Sequence, residues 1–147
     1  MVRNACYLAE SKIRGAGVGV FTDLYINKGS IIYKPNPILD TNLTQEEYNS
    51  LDLLEQDEVS YFGYFHKKTM RWHVAHGVIG MINHSDYGNV TQDENMVMIA
   101  KLDIPRGAEL TQNYDEIYTD LDKTQFNKIY KYKLWIQYII TLFFKER

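Results

Sequence analysis

The sequence has very little cysteine and no metal-binding spacing, and both shortages exclude classes of protein. Cys6 is the one cysteine among 147 residues. An internal disulfide and a cysteine-cluster zinc site are therefore excluded. The four histidines lack the helical spacing of zinc peptidases, so the sequence predicts no metal site.

An excess of basic charge and a membrane-length apolar run are lacking as well. The formal net charge is −3, which offers no basic surface for nucleic acid, so we expect no direct nucleic-acid binding. The uncharged run over residues 134–144 is shorter than the roughly 20 apolar residues that cross a bilayer. The N-terminus has no apolar core of a secretory signal. We therefore expect an intracellular protein without a membrane attachment.

What is present predicts one mainly β domain with inserted helices. The chain of 147 residues is 45% hydrophobic, which is enough to bury a core. Thr44 and Glu47 have the spacing of a capping box and predict a helix over residues 44–56. Short β-like runs occupy residues 6–9, 19–22, 30–33, 71–75 and 95–100.

The end of the chain has a different pattern. Apolar residues recur every three or four positions from Phe126 to Phe143, which is typical of a helix. Further apolar residues widen this stripe, so more than one side of the helix must be buried. We predict a domain over residues 1–118 and a C-terminal α-helix over 119–147. That helix packs on its own domain, on a partner, or on a second copy of the chain as a homo-oligomer.

A glycine segment before a predicted strand is the first candidate site. Gly15, Gly17 and Gly19 precede Phe21, and backbone without Cβ atoms can approach a ligand closely. A turn or bulge between strands is the alternative. No Gly-Lys-Ser/Thr follows, and the segment leads into a strand, so a phosphate loop and a dinucleotide fingerprint are both excluded.

Two further segments combine polar residues with apolar surroundings. Asn83 and His84 follow the apolar run at residues 78–82, where burial is costly unless both side chains are hydrogen-bonded. Their partners are either the protein backbone or a ligand. Tyr114 follows a strand-like segment and is either an ordinary half-buried aromatic residue or a catalytic group. With an ordinary pKa of about 10, its phenol suits alignment of reactants better than base catalysis at neutral pH.

In combination and in this order, the three segments resemble the SET-domain protein methyltransferases. That family carries Gly-x-Gly-Val-Phe, Asn-His-Ser and Glu-Leu-Thr-x-x-Tyr motifs, which here lie at residues 17–21, 83–85 (with Asn89 beyond) and 109–114. The similarity spans residues 6–118. It implies a β-clip-like fold of several small sheets, in which the last motif threads beneath a preceding loop as a pseudoknot. The small size is that of compact viral and bacterial members, so the nucleus of a host is an alternative to the cytoplasm.

The resemblance implies transfer of a methyl group from S-adenosylmethionine to a lysine side chain of a protein, without a metal. The backbone of Gly17, Val18 and Gly19 would hold the methionine part of the cofactor. Asn83 and His84 would contact its amino group and adenine. A basic, histone-like protein is a substrate that suits the mildly acidic chain.

The resemblance also assigns four side chains around the reaction itself. Tyr114 would be the catalytic residue, beside the methyl group and in contact with the cofactor. Tyr118 would cover the adenine or the channel mouth. Tyr61 and Glu116 would line the channel for the lysine, whose amine must lose its proton before it attacks. A desolvated aromatic channel and a neighbouring sulfonium both favour the neutral amine.

Some residues depart from the family pattern. Asp86-Tyr87-Gly88 stands where members frequently have Cys and Pro, and Asp115 stands where Gly commonly follows the tyrosine. Two alternatives to a lysine methyltransferase stay open from the sequence. One is a SET-fold binding or assembly module without catalysis, and the other is an enzyme that methylates a small amine or a group other than lysine.

Overall fold

The computed structural model describes Val2, residues 5–66 and residues 68–117. Tyr118, the predicted C-terminal helix and its packing on a second copy lie outside these residues. The division of the chain at residue 118 therefore stays a prediction. No helix of the described part is long and apolar enough to span a bilayer.

Ten strands and two α-helices make up the described part of the chain, together with two short 3-10 helices. The helices are α1 (Gln45–Ser50) and α2 (Leu53–Phe62), and the 3-10 helices are Val78–Met81 and Tyr114–Glu116. The strands are β1 (Cys6–Glu10), β2 (Val18–Thr22), β3 (Ile31–Tyr33), β4 (Thr41–Thr44), β5 (Tyr64–His66), β6 (Arg71–Val74), β7 (Asn83–His84), β8 (Val90–Gln92), β9 (Met98–Ala100) and β10 (Glu109–Gln112).

Within the described residues the strands form two sheets. The larger has the order β1-β2-β10-β8-β9-β3, with β7 also paired to β10, and the smaller has the order β4-β6-β5. Strand β10 runs antiparallel to β2 but parallel to both β7 and β8. Strand β10, which is the last strand of the described residues, therefore pairs with one strand near the beginning of the chain and with two strands from its middle. The predicted mainly β fold of small sheets with inserted helices is confirmed.

The helix predicted over residues 44–56 is wrong in its extent. The capping box of Thr44 and Glu47 is present, but α1 ends at Ser50. Asp52 accepts a hydrogen bond from the backbone of Glu55, whose side chain accepts one from the backbone of Asp52. This second capping box starts α2, because an N-cap residue adopts an extended backbone that interrupts the preceding helix.

Most of the core lies on the larger sheet. Its fully buried side chains include Ile32, Val90 and Leu110, from three different strands. A second cluster under the smaller sheet stacks Tyr48 on Trp72, with ring centroids 4.3 Å apart. Burial of each large apolar side chain contributes about 1.5–3 kcal/mol to stability. These two clusters therefore stabilise the two sheets.

A buried polar network connects β3 with β6. The hydroxyl of Tyr33 donates to the carboxylate of Asp40 and lies 3.1 Å from Nε2 of His73, whose Nδ1 lies 2.9 Å from Oδ1 of Asn42. Burial raises the pKa of Asp40, but hydrogen bonds from Tyr33 and from two backbone amides outweigh it and lower that pKa below its ordinary value. Burial lowers the pKa of His73. The network therefore favours an ionised Asp40 beside a neutral histidine.

Candidate active site

The candidate site forms where β7 and β10 run side by side. Thr111 pairs with Asn83 and Gln112 with His84 in parallel register. Tyr114 follows two residues after β10, in the 3-10 helix Tyr114–Glu116. This pairing brings two of the three predicted motifs into contact although about 30 residues separate them in sequence.

Tyr114 is held at three points. Its hydroxyl donates to the backbone carbonyl of Ile82, its backbone N–H donates to Nδ1 of His84 over 3.1 Å, and its ring lies 5.3 Å from the His84 ring. Burial raises the pKa of Tyr114 above its ordinary value, and neighbouring Tyr61 adds to the rise. The phenol therefore stays protonated at neutral pH and acts as a hydrogen-bond donor rather than as a base.

His84 has both ring nitrogens engaged by the protein. Because Nδ1 accepts from the backbone of Tyr114, the neutral ring carries its proton on Nε2. That nitrogen lies 3.1 Å from Oδ1 of Asp86. Both nitrogens therefore have partners in the protein, and the ring packs against that of Tyr114.

The glycine segment adopts backbone angles that favour glycine. Gly15 and Gly17 have φ angles of 80° and 68°, in the left-handed region that glycine adopts without steric cost. The carbonyl of Gly17 accepts a hydrogen bond from the backbone of Ser11 over 2.6 Å. Val18 is 45% exposed, so the segment reaches the surface at this residue.

Glu109 connects this segment with Asn83. Its carboxylate accepts hydrogen bonds from Oγ of Ser11 (2.7 Å), the backbone N–H of Lys12 (2.8 Å) and Nδ2 of Asn83 (3.2 Å). Nδ2 of Asn83 also donates to the carbonyl of Val18 over 2.9 Å. The two polar side chains thus fasten the glycine segment to β7 and β10.

Gly19 leaves no room beside that carboxylate. A Cβ atom at this position would lie 2.2 Å from Oε1 of Glu109 and 3.3 Å from Nδ2 of Asn83. Sequence reasoning assigned no role to Glu109, although it belongs to the third motif. The signal that could have found it is a carboxylate placed beside apolar Leu110 at the start of a predicted strand.

The loop between β7 and β8 lies against the end of β10. The backbone N–H of Ser85 donates to the carbonyl of Gln112 over 3.0 Å, and a Cβ at Gly88 would meet backbone atoms of Gln112 and Asn113 at 2.7–2.8 Å. Asn89 accepts from the backbone of Thr111 and donates to the carbonyl of Glu109. These contacts fix β10 beneath the loop, and threading as a pseudoknot stays a prediction.

The two predicted channel residues have different surroundings. Tyr61 lies in the last turn of α2, where burial raises its pKa and its ring packs edge-on against Phe62 at 4.7 Å. Glu116 is exposed and is engaged by Nζ of Lys101 at 2.8 Å and by Oγ1 of Thr91 at 2.7 Å. Tyr61 contributes to the raised pKa of Tyr114 and so lies within electrostatic range of it, whereas Glu116 is bound in a surface ion pair.

Tyr64 and Ile117 are buried together, with Tyr114 packed against them. The hydroxyl of Tyr64 donates to Oε1 of Gln92 over 2.7 Å. Sequence reasoning did not single out Tyr64, which adds an aromatic wall on one side of Tyr114. Among the residues that the structure describes, no cluster of His, Cys, Asp and Glu could hold a metal ion.

Comparison with solved structures shows what this architecture is similar to. A Polycomb repressive complex 2 chain bound to S-adenosylmethionine matches with a TM-score of 0.60 and 19% identity, over 84% of this chain and 17% of that one. The Chaetomium thermophilum complex bound to GSK126 gives a TM-score of 0.62 and 20% identity, with the same two coverages. A candidate histone methyltransferase of Plasmodium falciparum gives 0.51 and 22%, over 75% of this chain and 92% of that one.

These likenesses confirm the predicted fold. The chain spans only about a sixth of the length of the Polycomb chains that it matches. A comparison with curated protein sequences found no match. The model of the SET domain matches residues 17–115, or 99 of the 147 residues. The chain belongs to the SET-domain family.

Proposed function

We propose that the chain is an S-adenosylmethionine-dependent methyltransferase that acts on a lysine side chain of a protein. The observation that carries the proposal is the parallel pairing of β7 with β10. It places His84 against Tyr114, while the preceding Asn83 contacts the glycine segment at Val18. Family membership and the cofactor in a similar Polycomb structure support the same conclusion.

The residues around the glycine segment fit this cofactor. The left-handed backbone of Gly17 and the surface position of Val18 suit the methionine part, and the absence of a Cβ at Gly19 keeps the contact with Glu109 close. Asn83 contacts both Val18 and Glu109, and His84 contacts Tyr114, so both residues border the region proposed for the cofactor. When bound, S-adenosylmethionine supplies a methyl group activated on a positively charged sulfur.

Tyr114 contributes position and polarity rather than proton abstraction. Its hydroxyl is fixed on the carbonyl of Ile82, and its raised pKa keeps the phenol protonated. A preorganised hydroxyl and carbonyl of this kind can align a methyl group with an incoming nucleophile without reorganisation during the reaction.

The aromatic surroundings explain how a lysine amine becomes reactive. Tyr61, Tyr64 and Ile117 lie around Tyr114, and an amine that enters such a desolvated site loses part of the hydration that favours its charged form. Its pKa then falls from about 10.4 towards neutrality, so solvent takes the proton and Tyr114 does not. A basic, histone-like protein substrate completes the proposal, because the net charge of −3 favours a cationic partner.

Radiolabelled methyl transfer tests the proposal. Wild-type protein, a Tyr114→Phe variant and a Tyr25→Phe control are incubated with labelled S-adenosylmethionine and with core histones or a cell lysate. Tyr25 is 56% exposed and lies in the turn before β3, so its variant controls for loss of a tyrosine hydroxyl. We expect label on protein with the wild type and the control, and a sharp loss with Tyr114→Phe.

The acceptor is then tested by Lys→Arg substitution at the labelled position of the substrate, which should abolish labelling. Label on a small amine instead would contradict the lysine assignment. Cofactor binding without any methyl transfer would favour the alternative of a binding or assembly module. Absence of cofactor binding by folded protein would refute the proposal as a whole.

A further inference from the structure

Glu109 is a buried carboxylate without a cation beside it in the described part of the chain. Glu109 is 8% exposed. The three groups that donate hydrogen bonds to its carboxylate are a hydroxyl, a backbone amide and a carboxamide, and all three are neutral. Neither the three Lys or Arg ion pairs among the described residues nor the His84–Asp86 contact includes it. The ammonium of nearby Lys12 instead lies 5.9 Å from the ring centroid of Phe21.

A charge in such a place requires compensation. Removal of a carboxylate from water is costly unless it is paired or strongly hydrogen-bonded, and neutral donors supply only part of what water provided. Oε1 of Glu109 lies within contact distance of Gly19 and Asn83, two of the residues proposed to hold the cofactor. The negative potential of this carboxylate therefore acts on whatever occupies the glycine segment.

We propose that Glu109 is the counter-charge for the cationic cofactor and makes the site prefer S-adenosylmethionine over its demethylated product, S-adenosylhomocysteine. This inference rests on the proposed function and adds to it the basis of cofactor selectivity. The two molecules differ by one methyl group and one positive charge on sulfur. A fixed anion beside the glycine segment would attract the first more strongly than the second.

The same charge would assist turnover. Methyl transfer breaks the sulfur–methyl bond, leaves the bonding electron pair on sulfur and forms a nitrogen–methyl bond, so the positive charge moves to the accepting nitrogen, which gave up one proton to solvent before the attack. The thioether that remains is neutral at sulfur, so the attraction by Glu109 ends when the reaction does. Release of the product is then favoured over release of unreacted cofactor.

Calorimetric titration of wild type and Glu109→Gln with both molecules tests the inference without any methyl acceptor. We expect the wild type to bind S-adenosylmethionine about tenfold more tightly than S-adenosylhomocysteine, as a charge pair at intermediate dielectric permits. In Glu109→Gln, which keeps the size of the side chain but not its charge, the ratio should fall to about threefold or less. If both affinities fall by the same factor, Glu109 has a structural role and the inference is overturned.

Two controls separate charge from packing. Ser11→Ala removes one hydrogen bond from the same carboxylate but keeps its charge, and should retain the wild-type ratio of affinities. Asp23→Asn removes a negative charge that pairs with Arg106 on the surface, and should also leave the ratio unchanged. Loss of the ratio in either control would contradict a specific effect of Glu109.

The wild type alone provides a second measurement in case Glu109→Gln does not fold. Sinefungin carries a protonated amine in place of the methyl-bearing sulfur, so it should also bind more tightly than S-adenosylhomocysteine. Equal binding of the cationic and neutral molecules by the wild type would overturn the inference while leaving the proposed function intact. Absence of binding by all three molecules would refute the proposed function itself.

Discussion

Substitution of Gly19 by alanine should damage both stability and cofactor binding, because the added methyl group has no space. Its carbon would lie 2.2 Å from Oε1 and 2.8 Å from Cδ of Glu109. The carboxylate cannot simply withdraw, since Ser11, Lys12 and Asn83 hold it by hydrogen bonds of 2.7–3.2 Å. Loss of one hydrogen bond to a charged group costs about 1.5–3 kcal/mol, and overpacking costs about 1–3 kcal/mol. We expect the free energy of unfolding to fall by about 2–4 kcal/mol.

Urea denaturation measures this change, and calorimetry at a temperature where the variant is folded measures the affinity for S-adenosylmethionine. Gly63→Ala is the matched control, because its Cβ would meet the carbonyl oxygens of His73 and Val59 at 2.5 and 2.8 Å, away from the glycine segment. Gly63→Ala should lose stability but keep its cofactor affinity, whereas Gly19→Ala should lose both. A change in unfolding free energy below about 0.5 kcal/mol in Gly19→Ala, with unchanged affinity, would refute the crowded contact with Glu109.

Three further predictions concern stability. Burial lowers the pKa of both His73 and His66 in the folded protein. Below a pH of about 6.5 the unfolded chain therefore binds more protons than the folded protein, so stability falls with falling pH. A urea midpoint that is equal at neutral and mildly acidic pH would contradict this. Tyr33→Phe removes the hydroxyl that donates to Asp40 and should cost about 1–3 kcal/mol by urea denaturation; no measurable loss would show that the network is dispensable. Gly88→Ala would place a carbon 2.7–2.8 Å from backbone atoms at the end of β10, so the free energy of unfolding should fall by about 2 kcal/mol. A variant that melts like the wild type would contradict this prediction.

Local sequence signals predicted β1, β2, β3, β6 and β9 and a strand-like segment at β10, because alternation along a strand is a short-range pattern. The capping box at Thr44 was correct for the same reason. Local signals did not predict the short strands β4, β5, β7 and β8. The break after α1 was missed since the second box, at Asp52, lies inside a stretch whose apolar spacing still fits one helix. Competition between two nearby helix starts is not visible in periodicity alone.

The site depended on partners that are distant in sequence. That β10 would run parallel to β7 and antiparallel to β2 is set by tertiary packing, and no local pattern in residues 109–112 indicates it. The resemblance to a family brought the motifs together before the pairing was known. It did not indicate that Glu109 accepts three hydrogen bonds or that Glu116 pairs with Lys101, because those contacts follow from the fold of this chain.

The most direct test of the account compares the catalytic rate with cofactor affinity in Tyr114→Phe. The phenol is proposed to position the reacting groups, so its removal should affect the transition state more than the bound cofactor. With a methylated substrate in hand, we predict that kcat falls about 100-fold or more while the Kd for S-adenosylmethionine by calorimetry changes less than about threefold. A variant that keeps the wild-type kcat would contradict the assignment of Tyr114 and with it the proposed active site.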